Sequence, residues 1–255
     1  MAVNRWAVPS DEHAYWLAAQ RLLAGQPLYD PTATPVTPYA YWYPPVLAQV
    51  LVPVALVLPS EGFSAAWTAM MLGCLWWLAG RRVLVALAML AFPPVAIEFW
   101  FRNIHLLLAV LVVLAVRRAW LFPVAASLKL APGVGIAWLF AAGRRREAAV
   151  AVGVGALILG VSVLLSPEAW RDWIAIALAR GPGDVASFVP IPFAWRAVAG
   201  LALAVVAGRA RAPWSGVGLV VAVTIALPTL WVTALSLLAA IVPLWRSPQA
   251  PVAAR

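Results

Sequence analysis

From Pro45 to about residue 245, apolar segments follow one another with short polar breaks, and this pattern sets the solvent of the chain. Hydrophobic residues make up 65% of the chain and charged residues only 11%. A soluble domain is about 45–50% apolar and about 25% charged, because water must solvate its surface. We therefore predict an all-α, polytopic integral membrane helical bundle that lies in the lipid bilayer.

The apolar segments are short for membrane spans. They lie at about 45–58, 63–80, 83–100, 103–116, 119–141, 147–165, 196–208, 214–228 and 229–245. A helix needs about 20 residues to cross hydrocarbon, so some of these segments must tilt or re-enter. We predict about eight to ten membrane segments, some of them short or re-entrant.

The chain divides into three regions. We predict an extracytoplasmic N-terminal segment at 1–43, a transmembrane domain at 44–246 with an outer loop at 166–195, and a cytoplasmic tail at 247–255. Within the first region, Ser10-Asp11-Glu12 before an apolar stretch predicts a capped, short amphipathic helix that ends at Gly25.

The basic residues indicate topology. The net charge is +9, but the bases occur as doublets and triplets between apolar runs rather than along one face. This distribution is typical of cytoplasmic loops and does not indicate a nucleic-acid partner. The groups assigned to the cytoplasmic side are Arg81-Arg82, Arg117-Arg118, Arg144-Arg145-Arg146, Arg209/Arg211 and Arg246.

This assignment leaves the N-terminal segment with alternatives. If all arginine groups are inside, 119–141 must go out and return as two half-helices that meet around Ser127–Pro132, with Lys129 at the outer turn. The N-terminal segment is then inside if 45–58 crosses, and outside if 45–58 is re-entrant or interfacial. A further scheme places the two arginine doublets, Arg81-Arg82 and Arg117-Arg118, on the outside and lets 119–141 cross the membrane once. Both schemes with an outside N-terminus place it on the same face as 166–192.

Asp11 and Lys129 are the polar residues most suited to chemistry. A carboxylate at Asp11 is a general base if an acceptor hydroxyl comes within hydrogen-bond reach. Its alternative role is to favour the helix N-terminus. Lys129 is the one lysine among eighteen basic residues and lies inside an apolar run, where a charge is costly. It suits a phosphate-binding role, and the alternative is snorkelling to the interface.

A third polar group lies in the string Glu98-Phe-Trp-Phe-Arg102-Asn103-Ile-His105. On a continuous helix, Glu98 and Arg102 are four residues apart, so we predict that they pair. Arg102 and Asn103 open the next helix, whose N-terminus favours an anion. His105 is a candidate proton carrier. With two histidines in the chain and no suitable spacing, we predict no metal site.

Aromatic and charged residues near the predicted outer face are given less specific roles. The string Tyr39-Ala-Tyr41-Trp42-Tyr43-Pro44-Pro45 predicts interfacial anchoring, with stacking against a sugar or headgroup as the alternative. Arg180, Asp184 and Arg196 are predicted to be solvated.

Five motifs occur in a fixed order in the first half of the chain. They are Asp11-Glu12-His13-Ala14-Tyr15-Trp16-Leu17-Ala18-Ala19, Gly25-Gln26-Pro27-Leu28-Tyr29-Asp30, Tyr41-Trp42-Tyr43-Pro44-Pro45, Asn103-Ile104-His105-Leu106-Leu107-Leu108 and Lys129-Leu130-Ala131-Pro132. The series resembles glycosyltransferase family 87, the polyprenyl-phosphate-sugar-dependent membrane transferases of the GT-C class, over roughly residues 10–146.

The resemblance implies a function. It implies an inverting, metal-independent hexosyltransferase without a cofactor, in the bacterial plasma membrane with its active site on the extracytoplasmic side. The donor would be a polyprenyl-phosphate-linked sugar, with mannose the expected hexose, and the acceptor a lipid or glycan. The alternative is a non-catalytic membrane protein, namely a small transporter, a lipid flippase or an inactive relative.

The resemblance also implies residue roles. Asp11 corresponds to the family's catalytic base, in preference to Glu12, because the family's acidic residue is followed four positions later by tyrosine, here Tyr15. Lys129 would bind the donor phosphate with Arg102 as a helper. Substrate contacts are expected from Tyr15, Tyr41, Tyr43, Asn103 and His105. The family has a transmembrane helix before the acidic loop, so we expect either such a helix encoded upstream of Met1 or a reduced relative.

Overall fold

The computed structural model of the chain describes residues 10–34, 37–179 and 187–246. In these residues all regular structure is helical, which confirms the predicted all-α class. The α-helices are α1 Asp11–Leu23, α2 Pro45–Val57, α3 Ser60–Leu78, α4 Val83–Leu90, α5 Pro93–Phe101, α6 His105–Arg117, α7 Leu121–Leu128, α8 Val134–Ala141, α9 Arg145–Leu165, α10 Pro167–Ala179, α11 Phe193–Arg209, α12 Trp214–Ile225 and α13 Ile241–Arg246. Two 3-10 helices span Ala131–Gly133 and Val232–Ala240. The predicted tail at 247–255 and the candidates Arg180 and Asp184 lie outside the described residues.

Most of the predicted segments correspond to helices, but some differ in form, and the segment at 229–245 is a 3-10 helix, Val232–Ala240, followed by α13. The segment at 83–100 is two helices, because Pro93 and Pro94 open a new helix at that point. The predicted outer loop at 166–195 contains α10 and the first turn of α11. The N-terminal helix ends near Gly25 as predicted, but Ser10 makes no side-chain cap hydrogen bond, so that detail was wrong.

By length and composition, α9 is the one described helix able to cross a bilayer unaided. Two bent pairs, α3 with α4 and α5 with α6, each meet at 117° and have the apolar length of a further span if each pair counts as one. Leu157, Leu164 and Leu165 on α9 are 67%, 83% and 68% exposed. Such apolar surface is unusual in water and fits a helix surrounded by lipid.

The segment at 119–141 forms two half-helices, as one of the predicted schemes requires. Helix α7 ends at Leu128, Lys129 is extended with φ −157°, and a short 3-10 helix containing Pro132 leads into α8. Proline has no N–H to continue the hydrogen bonds of α7, which helps to break the helix here. Lys129 therefore lies at the turn between the two halves.

Helix α2 begins and ends beside α1. Near its start, the Tyr15 hydroxyl is 2.8 Å from that of Tyr43, and just after its end Ser60 Oγ is 3.0 Å from His13 Nδ1. Helix α2 therefore does not carry the chain from one end of the bundle to the other. This geometry agrees with the alternative in which 45–58 is re-entrant or interfacial.

Two side chains of α1 hydrogen-bond to carbonyls at the end of α2. Gln20 Nε2 donates to the Ala55 carbonyl at 2.7 Å, and Trp16 Nε1 donates to the Leu58 carbonyl at 3.1 Å. Ala55 O has no helical partner, because the residue four positions later is Pro59, which lacks an N–H. Gln20 supplies the missing donor.

The arginine groups gather at the opposite end of the bundle. Arg246 donates to the Ala79 carbonyl at 3.3 Å, and Arg144 donates to the Val116 carbonyl at 2.7 Å. Arg144, Arg209 and Arg211 line one cavity. We call this the arginine end.

The opposite end, called the α1 end, holds α1 and the region around α10. Trp173 Nε1 donates to the Trp42 carbonyl at 3.3 Å, so α10 and the N-terminal segment lie together. The prediction that these two regions share a face agrees with this contact.

Helices α8, α11 and α12 pack closely through glycine. A Cβ on Gly208 would lie 2.6 Å from the Trp138 carbonyl oxygen, and one on Gly200 would lie 2.7 Å from that of Ala222. The predicted solvation of Arg196 was wrong, because its guanidinium is buried and donates to the carbonyls of Ile191, Leu227 and Pro228.

Candidate active site

Asp11 is the first residue of α1 and faces the junction of α5 and α6. Its Oδ2 accepts a hydrogen bond from Asn103 Nδ2. Oδ1 of Asn103 accepts from the Ile104 N–H at 2.7 Å and from the Tyr43 hydroxyl at 3.1 Å. With its oxygen bound to these donors, Asn103 is oriented to present its N–H groups to Asp11.

Burial makes the Asp11 carboxyl more basic than an ordinary aspartate. It raises the pKa of Asp11 from 3.8 to about 6, although the nearby positive charge of Lys129 and the Asn103 hydrogen bond act to lower that pKa. Asp11 and Lys129 are thus close enough to interact electrostatically. A carboxylate with a pKa near 6 is largely ionised at neutral pH and accepts a proton more readily than an ordinary one.

Lys129 is held by a histidine and an aromatic ring. Its Nζ lies 2.7 Å from His105 Nε2 and 5.1 Å from the centre of the Tyr43 ring. An ammonium group only donates, so Nε2 of His105 must accept and the ring proton must lie on Nδ1. We assign this tautomer from the hydrogen bonds, since hydrogen positions are inferred.

Glu98 fixes the histidine in that tautomer. Its Oε2 lies 3.1 Å from His105 Nδ1, and its Oε1 accepts from the His105 backbone N–H at 2.6 Å. Glu98 is 0% exposed and His105 is 1% exposed. The contacts of Glu98 with His105 and of His105 with Lys129 therefore hold the lysine nitrogen in place.

The predicted pairing of Glu98 with Arg102 was wrong. The pairing assumed a continuous helix, but α5 ends at Phe101 and Arg102 has a positive φ of 51°. The turn directs the guanidinium to Glu12, whose Oε1 lies 2.6 Å from Arg102 Nη1.

Glu12 and Arg102 belong to a separate pocket beside Asp11. Glu12 is 1% exposed, and its Oε1 also accepts from Ser64 Oγ at 2.8 Å. The pocket has a volume of about 500 Å³ and is lined by Ser10, Glu12, His13, Tyr39, Ser64, Phe99, Trp100 and Arg102. Arg102 thus contacts Glu12, and no described contact joins it to Lys129.

The candidate tyrosines divide into two sets. Tyr15 and Tyr43 exchange a hydrogen bond of 2.8 Å, and Tyr15 also reaches Asn103 Oδ1 at 3.4 Å. Tyr41 instead donates to the Pro44 carbonyl at 2.9 Å and accepts from the Ala48 N–H at 3.0 Å, so its hydroxyl stabilises the start of α2. Its expected substrate contact remains a prediction.

Six predicted site residues therefore lie in one connected group at the α1 end: Asp11, Tyr15, Tyr43, Asn103, His105 and Lys129. Sequence reasoning missed the role of Glu98 as the histidine's partner. The signal was present, since two costly ionisable residues lie seven positions apart in one apolar string. In the described part of the chain, no three His, Cys, Asp or Glu side chains form a metal-binding group.

The family is decided by a match to a family model. The model of glycosyltransferase family 87 covers residues 41–255. The chain belongs to this family. It is therefore a glycosyltransferase, with a sugar donor and an acceptor as substrates. Searches of curated proteins and of solved structures gave no match.

The match and the predicted resemblance share residues 41–146 and differ at both ends. The match includes the second half, which the motif comparison at 10–146 did not reach, and it contains Tyr43, Asn103, His105 and Lys129. It begins at Tyr41 and so does not cover Asp11.

Proposed function

We propose that this protein is a membrane-embedded transferase that moves one hexose, with mannose the expected sugar, from a polyprenyl-phosphate donor to a lipid or glycan acceptor. The reaction takes place on the extracytoplasmic side and inverts the anomeric configuration. The observation that carries the proposal is that Asp11, a half-buried carboxylate, and Lys129, an ammonium group held by His105, lie on either side of the hydrogen-bonded pair Tyr43 and Asn103 at one end of the bundle.

Asp11 acts as the general base. The acceptor hydroxyl gives its proton to the carboxylate while its oxygen attacks the anomeric carbon. The bond between that carbon and the phosphate oxygen breaks, and the electron pair leaves with the polyprenyl phosphate. Attack opposite to the leaving group inverts the configuration. Asn103 supports this role, since its hydrogen bond holds one carboxylate oxygen and leaves the other for the hydroxyl.

Lys129 stabilises the leaving group. The donor is a phosphodiester with one negative charge, and the released monoester gains a second charge as the bond breaks. An ammonium placed where charge develops lowers the barrier, because it interacts more strongly with the transition state than with the donor. The His105 and Glu98 contacts support this role, because they fix the nitrogen before the donor arrives. Arg102 is the proposed second cation and would have to turn from Glu12 to reach the phosphate.

The membrane placement agrees with the positions of the charges. The arginine groups lie at the end opposite to Asp11, and the positive-inside rule assigns them to the cytoplasmic side. Tyr15 and Tyr43 beside Asp11 offer ring faces and hydroxyls that suit a sugar. The pocket of about 500 Å³ on the other side of Asp11 has room for an acceptor.

The test measures sugar transfer from a polyprenyl-phosphate hexose in proteoliposomes. We expect Asp11→Asn and Lys129→Ala each to lower kcat by about 100-fold or more, as general-base and electrostatic groups usually do. Asp172→Asn is the control for Asp11, because it removes an exposed carboxylate from α10 at the same end. Lys129→Arg separates the charge from the geometry of the lysine.

Two results contradict the proposal. The first is that the wild-type protein transfers no sugar from any polyprenyl-phosphate hexose, even after an in-frame upstream helix, if one is encoded, has been restored. The second is Asp11→Asn with unimpaired transfer. The first result would favour the alternatives of a transporter, a flippase or an inactive relative.

A further inference from the structure

A second cavity lies at the arginine end of the bundle. Its volume is about 530 Å³, and its lining residues are Val116, Trp138, Ala142, Arg144, Gly208, Arg209, Ala210, Arg211, Ala212, Pro213, Ser215, Gly216 and Leu244. Helix α6 begins at His105 in the candidate active site and ends at Arg117 beside this cavity. At about 1.5 Å per residue, the two sites lie about 18 Å apart along that helix. The cavity is therefore separate from the transfer site.

One wall of the cavity is rigid and its arginine is already neutralised. Arg144 makes two hydrogen bonds to Glu147, at 2.7 and 2.5 Å, and its guanidinium lies 5.4 Å from the Trp138 ring centre. Close packing of Gly208 against Trp138 fixes the two helices that form this wall. Arg144 is therefore part of the scaffold.

The other two arginines have unused binding capacity. Arg209 and Arg211 are exposed, and among the described residues neither forms an ion pair or a side-chain hydrogen bond. Arg209 ends α11 and Arg211 lies in the break before α12, so two positive charges line the cavity, whose described lining contains no carboxylate. Guanidinium groups bind phosphate oxygens in bidentate geometry and suit this position.

Polar groups at the start of α12 add further donors. The Ser215 hydroxyl accepts a hydrogen bond from Trp138 Nε1 at 3.0 Å, and its own proton has no acceptor in the described part of the chain. Helix α12 begins at Trp214, so its positive end also points toward the cavity. Between these groups, Ala210, Ala212 and Pro213 line the cavity with apolar atoms that are exposed or half-buried.

We propose that this cavity binds the headgroup of an anionic phospholipid. Phosphate would bind Arg209, Arg211 and Ser215, while the acyl chains would lie along Ala210, Ala212 and Pro213 and then along the apolar helices. Basic pockets between membrane helices at the cytoplasmic side take headgroups of this kind. An apolar wall beside the charges favours a lipid over free phosphate, which would leave that wall unfilled. The site would anchor α11 to α12 independently of catalysis, so this proposal does not rest on the proposed function.

The test measures lipid binding to the full chain in detergent by native mass spectrometry. The probes are phosphatidylglycerol, phosphatidylcholine and inorganic phosphate. We expect wild-type protein to bind phosphatidylglycerol at least about tenfold more tightly than phosphatidylcholine, and Arg209→Gln/Arg211→Gln to lose that preference. The matched control is Arg81→Gln/Arg82→Gln, which removes two exposed arginines from the same end but outside the cavity.

The controls separate a specific site from general attraction. Retained preference in the Arg81→Gln/Arg82→Gln variant supports the cavity. Equal loss in both double variants shows nonspecific attraction to the arginine end and overturns the proposal. Binding of inorganic phosphate as tight as that of phosphatidylglycerol overturns the assignment to a lipid. Unchanged preference in Arg209→Gln/Arg211→Gln overturns it as well.

Discussion

The basicity of Asp11 predicts how transfer depends on pH. The base must be ionised, and its pKa is about 6, against 3.8 for an ordinary aspartate. A raised carboxyl pKa means that the active form is lost earlier as the pH falls. About nine tenths of Asp11 is ionised at pH 7 and about one tenth at pH 5, whereas an unshifted aspartate would still be about nine tenths ionised at pH 5. We therefore expect kcat/KM for the donor to fall about tenfold between pH 7 and pH 5.

Asn103→Ala should move this profile in a known direction. Asn103 donates to the charged form of Asp11, so its loss raises the pKa of Asp11 further. A hydrogen bond to a charged group contributes about 1.5–3 kcal/mol, and each pKa unit corresponds to about 1.36 kcal/mol. The acid limb should move up by about one to two pH units. At pH 6 the ionised fraction then drops from about a half to about a tenth or less, and the rate drops about fivefold or more.

The assay is kcat/KM against pH in detergent micelles, where both faces of the protein have the same pH. Gln49→Ala is the control, because it removes an amide whose hydrogen bonds go to Ser162 and not to Asp11. Near pH 8.5 the Asn103→Ala variant should recover most of its loss relative to wild type. An acid limb near pH 4 in wild type, or a limb that stays in place in Asn103→Ala, would refute the assignment of Asp11 as a buried base.

Three further outcomes are expected. His105→Ala should raise KM for the donor about tenfold or more, because Lys129 loses a hydrogen-bond acceptor. His105→Gln keeps an acceptor oxygen, so its KM should rise less. Steady-state kinetics in which both variants raise KM equally would contradict the role of the histidine. Gly208→Ala should lower stability by about 1–3 kcal/mol, because its Cβ would meet backbone, whereas Gly153→Ala, which meets no atom within 4 Å, should cause no loss; thermal unfolding in detergent checks the pair. Arg196→Gln should lower stability by about 2 kcal/mol or more, because buried carbonyls lose charged donors, and an unchanged unfolding temperature would show that other donors replace it.

Much of the fold could be predicted from apolar run length and from proline. Runs of about 12–20 apolar residues gave the positions of most helices, and the interruption around Lys129 and Pro132 gave two half-helices. The route of the chain through the bundle could not be predicted in this way. Whether 45–58 crosses depends on where its ends pack, and run length does not predict contacts such as Tyr15 with Tyr43 and Ser60 with His13.

The sequence singled out most residues of the connected group at the α1 end but did not predict all of their contacts. Asp11 and Lys129 stand out because isolated charges are costly near or within lipid. The partner of Glu98 depended on one backbone angle, the positive φ of Arg102, which ends α5 and sends the guanidinium to Glu12. A non-glycine residue with positive φ is uncommon, and the helical spacing of Glu98 and Arg102 favoured the wrong partner.

The hydrogen bond from Gln20 to the Ala55 carbonyl has a consequence for the position of Asp11. Because Pro59 has no N–H, the Ala55 carbonyl at the end of α2 lacks a helical hydrogen bond. The Gln20 side chain of α1 can donate to this carbonyl at only one position of α1 along its axis. If α1 shifted along its axis by one turn, about 5.4 Å, the Ala55 carbonyl would lose its donor. Asp11, nine residues before Gln20, would then lose its contact with Asn103. A missing hydrogen-bond donor at the end of α2 thus fixes the axial position of the Asp11 carboxylate on α1.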